Sequence, residues 1–174
     1  MSLLKKGSTC RQAGFTIIEF LIVIGLIGIM TTVSIASYTS FTESSKLTNE
    51  TQKFTAILTL AQKRAVSGDV GGGCTNCSLN NFTVSWSVAS QTYSVVGSRI
   101  NGVTTESFDQ TNYTFDSVNR NVSLLDSSSV MFSPLTGSPD SAKTIRFKNI
   151  TKNECMQVSI AASGLLSSNS ITCP

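Results

Sequence analysis

One carboxylate, Glu19, sits inside an apolar run that extends from Phe15 to Ile35. Burying a charge in hydrocarbon costs about 2.5–3.5 kcal/mol on insertion scales, so a segment that served only as an anchor would have little reason to keep it. The carboxylate is therefore expected to meet a specific positive group once the chain leaves the bilayer. The run is about 20 residues long, enough to span a membrane, and follows a short leader carrying Lys5, Lys6 and Arg11. Basic residues beside a span stay cytoplasmic, which puts everything after Ile35 outside the cytoplasm. A secretory signal would have an apolar core of about 7–15 residues with its cleavage site behind it. Ile35-Ala36-Ser37 is the nearest approach to such a site here, and the better processing site, after Gly14, lies in front.

The charge balance changes once the leader is set aside. Thirteen Lys and Arg face ten Asp and Glu, but three of the thirteen lie in residues 1–14, leaving ten of each sign. The basic balance of the full chain is thus no argument for nucleic-acid binding. Charged residues make up 13% of the chain against about 25% in ordinary soluble domains. The rest is rich in Ser, Thr and Asn, which suits strands and loops better than a helical bundle.

From Phe15 to about Ser67 there is no proline, and glycine occurs only at Gly25 and Gly28. A continuous helix of that length would run about 80 Å. Its first half is apolar all round, as a span must be. Its second half becomes amphipathic, with Leu47, Phe54, Ile57, Leu58, Ala61 and Ala65 recurring at helical intervals. Glu43, Lys46, Glu50 and Lys53 alternate in sign on the other side. Gly68 is a plausible stop, followed by Gly71-Gly72-Gly73. Beyond residue 79 the pattern turns to strands: Phe82, Val84, Trp86 and Val88 alternate, and short apolar alternations recur at 93–95, 113–115, 122–124, 130–132, 144–148 and 155–160. Turn signals punctuate them, Ser133-Pro134 to Gly137-Ser138-Pro139 most clearly. The expected fold is α+β, a long N-terminal helix packed on an antiparallel β-sheet head. Its divisions are a leader (1–14), a helical stem (15–67, membrane part about 15–35), a Gly/Cys loop (68–78) and a β-rich head (79–174).

The residues Gly14-Phe15-Thr16-Ile17-Ile18-Glu19, with the basic leader before them and the apolar run after, closely resemble the type III signal of type IV pilins and type II secretion pseudopilins. The resemblance implies that a prepilin peptidase cleaves after Gly14 and methylates the new amine of Phe15. It also implies assembly with other pilins or pseudopilins in a helical filament, aided by a cytoplasmic ATPase and an inner-membrane assembly platform. Many pilins have a proline 22 residues into the mature chain, where this sequence has Ala36. Three further segments are similar to the GspH/FimT group of minor pilins: Leu60 to Gly68, Phe132-Ser133-Pro134 with its glycine turn and Ile145-Arg146-Phe147, and Val158 to Gly164. The expected function is that of a minor pilin or pseudopilin, resident in the inner membrane with its head outside the cytoplasm. Glu19 is expected to pair with the Phe15 amine of a neighbouring subunit, because a buried unpaired charge destabilises strongly whereas a paired one can break even.

The alternative is a tip-located module that binds DNA or a surface. Some members of the group bind DNA through arginines after the terminal glycine, but here Gly164 leads into Leu165-Leu166-Ser167-Ser168 and no arginine follows. The nearest basic cluster is Lys143, Arg146, Lys148 and Lys152, partly offset by Asp140 and Glu154.

Of five cysteines, Cys10 falls in the leader. The other four allow three connectivities, and an oxidising exterior favours bridges. The favoured pairs are Cys155–Cys173, fastening the C-terminal tail, and Cys74–Cys77. A zinc site from all four cysteines and a thioredoxin-like Cys74-Thr75-Asn76-Cys77 centre are the competing readings. There is no histidine, hence no imidazole base or triad, and Gly71-Gly72-Gly73 lacks the strand and lysine of a phosphate loop. No enzyme activity, cofactor or metal is expected.

Overall fold

The computed structural model describes residues 14–115 and 121–174, without the side chains of 32–37; the expected leader, up to residue 13, lies outside them. The chain divides between Ser40 and Phe41 into two compact units, each described by itself. In chain order the elements are α1 (Ile17–Ser67), β1 (Cys77–Ser87), β2 (Thr92–Asn101), β3 (Thr104–Thr114), β4 (Val122–Leu124), β5 (Ser128–Phe132), β6 (Lys143–Asn149), β7 (Glu154–Ile160) and β8 (Leu166–Ile171).

In the first unit, α1 leaves its large apolar side chains exposed from Ile17 to Met30. Among the described residues no helix is long and apolar enough to cross a membrane. Side chains are described as far as Thr31 and again from Tyr38, so the span expected at about 15–35 falls partly outside them.

The second unit holds two four-stranded antiparallel sheets, ordered β3-β2-β1-β5 and β4-β6-β7-β8. The α1 residues Leu47, Phe54, Leu58, Ala61 and Ala65 are buried on one stripe, as the helical spacing predicts. Opposite them lie Phe82, Val84, Trp86, Tyr93, Val95, Val130 and Phe132 of the first sheet, and Val122, Leu124, Ile145, Phe147, Val158 and Ile160 of the second. Phe54 touches both sheets, with ring centroids 5.7 Å from Trp86, 5.3 Å from Tyr93 and 5.5 Å from Phe147. One helix stripe thus closes the core of both sheets.

Strand β1 starts at Cys77, two residues before the expected head boundary. A bulge between Leu79 and Asn81 explains the lost signal: one extra residue shifts the alternation, so Leu79 and Phe82 both point inward three residues apart. The helix ends at Gly68 (φ 66°). The Gly68 N–H donates to Ala65 O and the Asp69 N–H to Arg64 O, at 3.2 and 3.1 Å, the two bonds of a Schellman stop.

The three segments noted in the sequence for their likeness to minor pilins meet in space. Gln62 Nε2 donates to the carbonyls of Gly137 (3.1 Å) and Gly164 (3.2 Å), and Leu135 N–H donates to Ala65 O at 3.0 Å. Gly137 and Gly164 both have positive φ, and a Cβ on either would press on Gln62. Helix end, proline turn and terminal glycine therefore form one lock, and their occurrence together has a structural cause.

Candidate functional site

Gly14 and Phe15 form an exposed, non-helical segment immediately before α1. A Cβ placed on Gly14 would meet nothing within 4 Å among the described residues. Thr16 then caps the helix: its Oγ1 accepts the Glu19 N–H at 3.3 Å, and its carbonyl accepts the Phe20 N–H at 3.2 Å. Thr16-Ile17-Ile18-Glu19 has the spacing of a capping box, and a carboxylate in the first turn complements the helix dipole. Sequence reasoning read Glu19 as a pairing group, or else as a carboxylate snorkelling at the membrane interface, and did not assign this local role, although the Thr-x-x-Glu signature was in view. Glu19 is exposed among the exposed apolar side chains Phe15, Ile17, Ile18 and Phe20, and large exposed apolar patches mark protein or membrane contacts.

The basic cluster does not form a free cationic patch. Arg146 forks onto Asp126, with Nε to Oδ2 at 2.9 Å and Nη2 to Oδ1 at 2.6 Å, and its own N–H donates to Oδ2 at 3.1 Å. Lys152 Nζ reaches Ser44 Oγ at 2.9 Å and Glu154 Oε1 at 3.6 Å. Lys143 and Lys148 lie at opposite ends of β6.

A different charged constellation was invisible in the sequence. Arg64 bonds Asp69 (2.7 Å) and Asp109 and lies 4.8 Å over the Phe82 ring. Arg99 bonds Glu106 at 3.2 Å and the carbonyls of Val70 and Gly72 at 3.2 and 3.3 Å. Two guanidiniums meet three carboxylates, so the cleft of about 440 Å³ between them has no spare positive charge for an anion. These bonds fasten the glycine loop and the β2–β3 hairpin to the helix end. Nothing in the spacing could have revealed partners 45 residues apart.

Several carboxylates are held below the ordinary range. The Arg146 hydrogen bond lowers Asp126, the Gly71 N–H and then Arg64 lower Asp69, and Lys46 lowers Glu43. A depressed folded value contributes stability above the unfolded value of about 4, lost as pH falls through the folded value. The melting temperature of the chain is expected to hold near neutrality and decline below about pH 4. Asp126→Asn should make that decline shallower; a melting curve with the same pH slope would refute the role given to Asp126.

Cys74 is bridged to Cys77 and Cys155 to Cys173, with Cα separations of 5.9 and 5.2 Å, which leaves no thiolate among them for zinc. Among the described residues no group of three His, Cys, Asp or Glu converges on a metal position.

Residues 9–35 match the family described as the prokaryotic N-terminal methylation motif. No curated protein gives a match. Among solved structures the chain is similar to the minor pseudopilin EpsH from the Type 2 Secretion System of Vibrio cholerae, with a TM-score of 0.51 and 12% identity, covering 72% of this chain and 97% of that one. At that identity the likeness speaks for the fold. The motif is confined to residues 9–35, and the structural likeness is one of fold.

Proposed function

We propose that this chain is a minor pilin or pseudopilin, a structural subunit whose task is assembly rather than turnover. The observation that carries the reading is the exposed Gly14–Phe15 segment before a capped helix whose large apolar side chains are exposed from Ile17 to Met30, at the position of the methylation motif. Prepilin peptidase cleaves after Gly14 and the freed Phe15 amine is methylated. The apolar half, residues 15–35, then holds the subunit in the inner membrane with its head outside the cytoplasm, and the assembly platform passes it into a filament with other pilins. Glu19 pairs there with the Phe15 amine of a neighbour and selects the axial register. The DNA-binding alternative is not favoured, because Arg146 and Lys152 already face carboxylates.

Mass spectrometry of the native protein tests the reading: an N-methylated Phe15 terminus is expected, and a filament-free chain retaining residues 1–14 would overturn it. Glu19→Ala is expected to lower filament incorporation by at least about tenfold, the factor that 1.4 kcal/mol of lost pairing produces. Wild-type incorporation of that variant would count against the pairing.

A further inference from the structure

The margins of the two sheets are finished differently. Strand β4 has three residues, and the Gln91 side chain acts on it like a strand, Oε1 accepting the Leu124 N–H at 2.8 Å and Nε2 donating to Leu124 O at 3.3 Å. Strand β5 is covered by its own following loop: Asp140 N–H donates to Met131 O (2.8 Å), Met131 N–H to Asp140 Oδ1 (3.0 Å), and Pro139 bridges to Phe132. Strand β3 is bulged opposite Val95–Gly97 and carries Glu106 and Asp109. Bulges, charges and covering loops are the usual guards of a sheet edge.

Strand β8 has none of these guards. Residues 165–171 contain no charge and no proline, and the six-pair register with β7 is unbroken. Ser167, Ser168, Asn169 and Ser170 are exposed, so burial reaches only the strand's ends, Leu166 and Ile171. The strand is held by the Cys155–Cys173 bridge at one end and, at the other, by a turn in which Ala161 N–H donates to Leu165 O at 3.0 Å. That bond also sets the phase of the ladder. Ala161 and Leu165 continue the register of Ile160 and Leu166 as a hydrogen-bonded pair, and such pairs alternate with non-bonded ones. Ser167, Asn169 and Ile171 therefore bond to β7, and the N–H and C=O groups of Leu166, Ser168 and Ser170 point outward. Among the described residues no backbone bond given outside the strand ladders reaches them.

We infer that the outer edge of β8 pairs with β8 of a second copy, antiparallel, about a two-fold axis at Ser168. In that register Ser168 faces Ser168 of the second copy and Leu166 faces its Ser170. Every outward group then finds a partner, in about six backbone bonds, two for each hydrogen-bonded pair. A second copy fits because the edge is neutral: two β8 strands meet without like-charge repulsion, whereas two β3 edges would bring Glu106 and Asp109 against their own kind. The bridge and the turn already hold the edge extended, so little further ordering is needed on pairing. The contact is small, and it is populated where chains are concentrated, as in a membrane, whether or not they enter a filament.

Oxidative cross-linking of the full-length chain in native membranes, with Cu(II)-phenanthroline under air, tests it. Ser168→Cys is expected to give a dithiothreitol-reversible dimer well above that of Ser129→Cys, an exposed position on β5. Adding Ser170→Pro removes an outward N–H without touching the β7–β8 bonds. It should lower the Ser168→Cys dimer by about tenfold, since symmetry deletes two bonds at once. Unchanged melting of that variant and retention of the Cys155–Cys173 peptide confirm that the edge itself survives. Cross-linking of Ser168→Cys no greater than that of Ser129→Cys, or unaffected by Ser170→Pro, overturns the inference.

Discussion

Phe54→Ala is expected to destabilise the head by about 3–5 kcal/mol, the usual cost of deleting a buried aromatic ring. Phe54 is fully buried and lies against Trp86, Tyr93, Phe115 and Phe147 at once. Those rings belong to different strands and to the end of β3, so the space left by its removal cannot be closed by moving one neighbour. Against a typical total of about 5–15 kcal/mol, the variant would sit near the edge of folding. Leu60, nearly half exposed on the same helix, supplies the control: Leu60→Ala should remain within about 0.5 kcal/mol of the parent. Urea denaturation of the purified chain, read as a shift in midpoint at constant slope, gives both numbers. Similar midpoints for the two variants would show that the helix stripe does not close the core of both sheets.

The parts of the fold that follow from burial were legible in the sequence. The stripe from Leu47 to Ala65 and the alternation of Phe82, Val84 and Trp86 each bury one face, and burial writes itself into period. Strand β8 was not legible, because only its ends, Leu166 and Ile171, are partly buried, its middle is polar and exposed, and a covalent link between residues 18 positions apart fastens it. The outer halves of β2 and β3 were missed for a related reason: they are mostly polar, and their signal lay in the Asn101-Gly102 turn rather than in their faces. At the amino end the motif matched over residues 9–35 could be read from residue types alone, while the capping of the helix by Thr16 needed the backbone geometry. The charged residues were the least readable. Lys143, Arg146, Lys148 and Lys152 are near one another in sequence and looked like a patch, yet Arg146 and Lys152 are engaged by carboxylates. Arg64, Arg99 and Asp109 are far apart in sequence and converge, because sheet topology rather than spacing brings them together.

Breaking the Cys155–Cys173 bridge by replacing both cysteines with serine is expected to cost the head about 3 kcal/mol, from the loop-closure entropy that the unfolded chain regains. The separation of 18 residues sets that figure, and the folded state adds a second consequence. Cys155 is itself buried on β7, whereas β8 has no buried side chain, so the loss should concentrate at the C-terminal margin. Hydrogen exchange of the Ser167, Asn169 and Ile171 amides should accelerate to nearly that of a free chain, while amides of β6 and the central part of β7 stay protected, since the core from Ile145 to Ile160 does not depend on β8. Replacing Cys74 and Cys77 is expected to cost about half as much, because they close a loop of three-residue separation and the Arg99 bonds to Val70 and Gly72 still hold the neighbouring loop. If the two double variants lose equal stability, or if β8 keeps its protection without the bridge, then side-chain packing rather than the tether holds that edge strand in place.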